Sequence, residues 1–357
     1  MTRPNTRLLH IELIAFVLVL LTFFMVSTCK KGHEIAPIKS VKVETLLTDS
    51  ISIRAITVMG NNLGFAGNKG YYGLYDDNKN TVRTNIIKYD SLTPNFRAVA
   101  STSDDFLMLS IQSPALLYKT GDQGSMELVY QEADEKVFYD SMTFWNDEEG
   151  IAMGDPTDGC LSIIITRDGG KSWSKVPCEK LPPVVDGEAA FAASDTNIAV
   201  NGAHTWITTG GKKSRVFYSA DKGKKWEVFD TPLIQGKETT GGYSIDFYND
   251  QLGFIIGGDY TDVNSNSKNK AITTDGGRSW SLISDDKGPG YQSCVQFVPR
   301  SEGKQLVSVG KTGIWVSNDT GKNWNKLTDD SFYTLRFLND STAYVGGNNI
   351  LAKLYFK

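Results

Sequence analysis

One spacing, S/T-x-D-x-G-x-x-W, occurs four times in this chain and limits its possible folds more than any other feature. The copies are Thr166, Asp168, Gly170 and Trp173; Ser219, Asp221, Gly223 and Trp226; Thr273, Asp275, Gly277 and Trp280; and Ser317, Asp319, Gly321 and Trp324. Each box is entered by a β-branched, alternating run and left by another, as in "KNKAITTDGGRSWSLI" (268–283), so each is a turn between two strands. The tryptophans recur at intervals of about 44 to 54 residues. A period of that length marks a repeat of small β units.

The residues upstream of the boxes repeat as well. "SMTFWNDEEGIAMG" (141–154), "SIDFYNDQLGFIIGG" (244–258) and "TLRFLNDSTAYVGG" (334–347) each read as strand, Asn-Asp turn, and strand ending at glycine. "EAAFAASDTNIAVNG" (188–202) and "CVQFVPRSEGKQLVSVG" (294–310) are variants. With the strands flanking the box, each unit has four antiparallel strands. Two earlier units are degenerate. Residues 96–130 keep Thr120, Asp122 and Gly124 but have no tryptophan, and residues 53–77 lose the box altogether. Units start near 51, 95, 138, 187, 241, 290 and 331. The last stops after its third strand, "ILAKLYFK", and "SVKVETLLTD" (40–49) reads as an orphan fourth strand. The expected fold is all-β: a seven-bladed β-propeller of four-stranded antiparallel blades, closed by the N-terminal strand, over residues 41–357. The 34 glycines, 15 tyrosines and 17 phenylalanines suit many short strands and tight turns.

The boxes resemble those of the BNR/Asp-box propellers, a superfamily that includes sialidases and photosystem II assembly-factor propellers. Together with "GIAMGDPTDG" and "GEAAFAASDTNIAVNG", the layout from about residue 40 onward is similar to exported bacterial chains often labelled oxidoreductases or glycosyl hydrolases. The resemblance implies a fold far more than a function. In the box, the Asp is expected to accept backbone N–H bonds across the turn, the Gly to take positive φ, and the Trp to pack between hairpins. Burying each indole stabilises by roughly 1.5–3 kcal/mol.

The first 29 residues differ in kind. Arg3, Arg7 and His10 precede an apolar run from Leu13 to Val26, which ends in "VSTC" at Cys29. That pattern is an export signal. "VSTC" resembles the lipobox of bacterial lipoproteins, which implies lipidation at Cys29 and a tether over residues 30–40. An uncleaved anchor and simple secretion are the alternatives, and all three place the folded part outside the cytoplasm. There, Cys160 and Cys178 flank one hairpin nearly opposite each other: either they form a disulfide or they are two buried free thiols. Cys294 reads as buried.

The residue inventory excludes several chemistries. A net charge of −4 offers no basic surface for nucleic acid. Three histidines, of which only His204 lies well inside the repeats, rule out a multi-histidine metal site. No G-x-G-x-x-G follows a strand, so nothing supports a dinucleotide cofactor. Sialidase chemistry implies an arginine triad and an Arg-Ile-Pro motif, but the motif is absent and the repeats hold only eight arginines. "DVNSNS" (262–267) lacks the glycine and glutamate of a calcium loop and reads as a solvated turn. No metal or cofactor is expected.

Charge near the propeller axis is the remaining signal. The first strands align on a phenylalanine column (Phe144, Phe191, Phe247, Phe297, Phe337), with Ile56 and Val99 in that column. Arg54 and Arg97 then stand where later units carry Met142, Ala189, Ile245, Val295 and Leu335. Glu188 starts the fourth inner strand, Asp155 and Asp259 (next to Tyr260) follow glycines in equivalent loops, and Arg215 opens a third strand. These seven residues form either a ligand pocket at the channel mouth or a salt-bridge plug. The reading is a monomeric, lipid-anchored propeller of the cell envelope that binds a protein or glycan. The alternative is a carbohydrate-active hydrolase using carboxylates at the mouth.

Overall fold

The computed structural model describes residues 36–121 and 124–357, and its sheets are antiparallel throughout. No α-helix occurs among the described residues; one 3-10 turn spans Cys178–Lys180. The signal segment, Cys29, the start of the tether and Asp122 lie outside the described residues.

Most units are simple meanders. In the third, Tyr139–Phe144, Gly150–Gly154, Ser162–Thr166 and Ser174–Lys175 pair in chain order. The strand Val41–Met59 is different because it serves two units. Its first part pairs with Asn348–Phe356, from Val41↔Phe356 to Thr48↔Ile350, and so supplies the fourth strand of the last unit. Its second part pairs with Asn62–Gly67 and is the inner strand of the first unit. The docked segment starts before Val41. Ile38 is buried, its N–H donates to Asn318 Oδ1 (2.9 Å) and its carbonyl accepts from Asn318 Nδ2 (3.0 Å). Residues 38–40 are therefore fold, not tether.

The fourth unit departs from expectation. Its inner strand is Ile198–Asn201, paired with His204–Thr208, and not the segment beginning near 187. Glu188–Ala189 pairs instead with Gly210–Gly211 in the neighbouring sheet. Phe191 is not in the phenylalanine column: it stacks on Tyr243 with centroids 3.9 Å apart. A run of apolar residues, Ala189 to Ala193, imitates a strand in sequence, but its backbone finds other partners.

Each box is locked by its own polar atoms. Asp275 Oδ1 accepts from Thr273 Oγ1 (2.7 Å) and from the N–H of Arg278 and Ser279 (3.1 and 2.9 Å). Thr273 Oγ1 in turn accepts the N–H of Gly277 (3.0 Å), which sits at φ +84°. Trp280 Nε1 donates to the Gly277 carbonyl (3.0 Å), so the indole is tied back to its own turn. Burial works to raise the Asp275 carboxyl, but these bonds outweigh it and hold it down at about 2. The same bonds recur at Thr166–Trp173, Ser219–Trp226 and Ser317–Trp324.

Cys160 and Cys178 are joined as a disulfide, with Cα atoms 5.7 Å apart. They lie just beyond the paired strands, before Ser162 and in the 3-10 turn, not on the strands themselves. Reducing this bond should cost about 2–4 kcal/mol by freeing the unfolded chain. Urea melts with and without reductant check this; identical midpoints would contradict it. Cys294 is buried and free.

Candidate functional site

The innermost strands present backbone edges that no outer strand covers, and two devices satisfy them. Neighbouring side chains take some: Val295 N donates to Ser244 Oγ (3.0 Å) and Phe297 N to Asp246 Oδ2 (2.7 Å). The segment before Ile198 takes others. Asp195, fully buried, accepts from Val99 N (3.0 Å) and Met142 N (2.9 Å), while its carbonyl accepts from Arg336 Nη2 (2.7 Å). Ser194 donates to the Ser293 carbonyl (2.6 Å) and accepts at its own carbonyl from Thr334 Oγ1 (2.8 Å). Residues 192–195 thus touch inner strands of several units at once. They form a cross-tie.

Arg54 and Arg97 belong to this cross-tie. Arg54 Nη1 donates to the Ala193 carbonyl (3.2 Å), and Arg97 Nη1 to that of Ala192 (2.8 Å). The guanidinium of Arg54 also lies over the Tyr333 ring at 3.7 Å. Neither arginine is in an ion pair among the described residues. Burial lowers Arg54, and burial followed by the Arg54 charge brings Arg97 down to about 10.

Strand register explains why both arginines reach this place. Pairing jumps from Ile53↔Gly67 to Ala55↔Ala66, and from Phe96↔Ser110 to Ala98↔Leu109. Arg54 and Arg97 are each the extra residue of a β-bulge, a device that re-aims a side chain. Asp140 and Tyr243 occupy the same kind of bulge in the third and fifth units. Arg54 is therefore level with Asp140 and Tyr243, and Ile56 with Met142. The alignment that set Arg54 beside Met142 and Ile56 beside Phe144 was two residues out of register.

Three of the seven candidates share one cavity of about 250 Å³: Arg54, Arg97 and Tyr260. Its other walls include Phe191, Tyr243, Tyr291, Tyr333 and Lys311. Tyr243 meets Tyr291 edge-on at 4.8 Å, and Tyr260 stands 43% exposed at the opening. No carboxylate lines the cavity among the described residues. Tyr243, Tyr291 and Tyr333 were missed from sequence, though each stands one or two residues before a Ser or Thr in or beside an inner strand.

The other four candidates are held elsewhere. Glu188, buried, pairs with the half-buried Arg215, whose Nε is 3.1 Å from both carboxylate oxygens, and Thr209 Oγ1 adds a bond of 2.6 Å to Glu188. Asp259 is capped by Thr261 N–H (2.9 Å) and its hydroxyl (2.5 Å). Asp155 accepts from Ala190 N (2.8 Å), anchoring the start of the cross-tie. The carboxylates thus lock neither to Arg54 nor to Arg97, and neither Asp155 nor Asp259 opens onto the cavity.

Burial raises the Asp155 carboxyl to about 6, against the Ala190 bond. A raised carboxyl means the folded state holds its proton longer than the unfolded chain. Stability from this group should therefore fall as pH rises from about 4 to about 6, by on the order of 2–3 kcal/mol. Asp155→Asn should remove that part of the decline while keeping an acceptor for Ala190. Unfolding curves at pH 4 and pH 7 measure it; an unchanged difference between the two would contradict it.

No protein-family model matches the chain, and no curated protein matches it in sequence. Solved structures do resemble it. YCF48 bound to a D1 peptide superposes with a TM-score of 0.63 at 15% identity, over 91% of this chain and 97% of that one. YCF48 from Cyanidioschyzon merolae gives 0.61 at 13%, covering 89% and 99%. The WD40 repeats of RRP9 give 0.60 at 12%, covering 90% and 99%. The fold is a β-propeller. At these identities the likeness carries the architecture alone.

Proposed function

We propose that this chain is an extracytoplasmic binding or assembly module that takes a segment of a partner protein over the arginine–tyrosine cavity. One observation carries the reading: two half-buried arginines, with no carboxylate partner among the described residues, open beside an exposed tyrosine into an aromatic-walled cavity. An acidic side chain or terminal carboxylate would pair with their free N–H groups, and the rings would cover the neighbouring apolar atoms. The similarity to a YCF48 bound to a D1 peptide supports a polypeptide ligand.

The architecture we propose is a seven-bladed ring of the Asp-box kind, closed by Val41–Met59. It is supported by the shared strand and by the adjacency of successive inner strands, with the first also next to the last. Cys29 would carry a lipid that holds this monomeric domain at the cell envelope. Short peptides with free acidic termini, titrated by fluorescence anisotropy, test the site. Affinity should fall at least tenfold in Arg97→Ala, in protein that still melts cooperatively. Peptide binding that ignores Arg54→Ala and Arg97→Ala would refute it, and binding only to a glycan panel would replace the partner class.

A further inference from the structure

The first two units differ from the rest at the rim. In the box units, the backbone at Gly170, Gly223, Gly277 and Gly321 sits so close to Leu107, Ile165, Trp206 and Phe254 of the preceding unit that a β-carbon would clash. The box tryptophan seals the same seam; Trp324 lies 5.9 Å from Phe254 across it. In the second unit Glu127 stands at the tryptophan position, and Gly124 has nothing within 4 Å of where a β-carbon would be. The seam is an open groove of about 580 Å³, with Met59, Tyr72 and Leu74 on one wall and Phe106 and Met126 on the other.

The outer strands beside it are unusual too. Box units end in strands of two to four residues, such as Ser281–Leu282 and Glu227–Asp230. The first two end in Thr81–Ile86 and Met126–Glu132, six and seven residues long. Thr81–Ile86 is the terminal strand of its sheet, so one backbone edge is unpaired. Ile86 and Leu128, 52% and 40% exposed, are among the most exposed large apolar residues described. A long, exposed edge is a template for strand addition unless something covers it.

We propose that this groove is a second docking surface, which binds an extended segment of a partner protein. The segment adds to the edge of Thr81–Ile86 and places a large aromatic side chain in the seam. The occupant is inferred from the chain itself: four other units fill the equivalent place with an indole whose N–H meets a glycine carbonyl. Two methionines in the walls give a lining that adapts to an incoming ring.

The probe is a blocked nonapeptide of threonine and valine with one central tryptophan, titrated against protein carrying labelled methionine methyl groups. Met59 and Met126 signals should shift, and a central alanine should weaken binding at least tenfold. Thr84→Trp, on the exposed strand, and Glu127→Trp, which restores the box residue, should each abolish the shifts. Thr84→Trp should leave acidic-peptide affinity at the axial cavity unchanged, so the two sites succeed or fail separately. Methyl signals unmoved at millimolar peptide would overturn the proposal. So would equal binding of N-acetyltryptophanamide alone, which would make this a small-molecule site. Dimerisation that Glu127→Trp blocks and the peptide does not compete would also overturn it, in favour of a second copy.

Discussion

Trp280→Ala should cost about 3–5 kcal/mol of folding stability, the loss expected when a packed aromatic is truncated to a void. Trp280 is only 8% exposed and meets Phe247 edge-on at 6.0 Å; Phe247 in turn stacks on Trp206 at 3.6 Å. Trp206 is completely buried and donates to the Gly276 carbonyl of the same box (2.8 Å). Removing one indole therefore loosens a stack that joins two units. Urea unfolding with two probes reads the effect, and Trp280→Phe should recover part of it. A cost below 1 kcal/mol would mean that the box tryptophans decorate the rim without holding it.

Deleting residues 36–49 should have an effect at least as large, exceeding about 5 kcal/mol and so comparable to the whole stability of an ordinary domain. The deletion removes the partner of Asn348–Phe356 from Val41 to Thr48 and uncovers Phe356, Leu354 and Ala352. It also removes Ile38, which packs against the sixth and seventh units. What remains is a bare nine-residue strand, an edge open to other chains. Thermal melts and gel filtration follow the outcome. A truncated protein that stays monomeric with the parent melting temperature would contradict the two-unit role of Val41–Met59.

The boxes were readable in sequence because every bond that defines them is local. Thr273, Asp275, Gly277 and Trp280 satisfy one another within eight residues, so spacing alone reports the geometry. The outer partnership of residues 41–48 was readable because the last unit lacked a fourth strand while residues 40–49 read as a strand without a unit. The inner strands were harder. A bulge adds one residue without any signature residue type, so the levels of Arg54 and Arg97 could not be read until the register was known. The cross-tie was hidden for a related reason: Ala192 and Ala193 act through carbonyl groups, which side-chain patterns do not report. Asp195 left no trace in sequence either, because its donors, Val99 and Met142, lie far away in the chain.

Site-specific photo-cross-linking in intact cells tests the central claim most directly. A photoreactive phenylalanine analogue at Tyr260 reports on the arginine–tyrosine cavity, and the same analogue at Gln296, which lines a different cavity, serves as the control. The account predicts a discrete adduct at Tyr260 whose mass mapping gives a stretch of polypeptide. That adduct should be weakened by Arg97→Ala and missing at Gln296. Equal adducts at the two positions, or a Tyr260 adduct indifferent to Arg97→Ala, would contradict it.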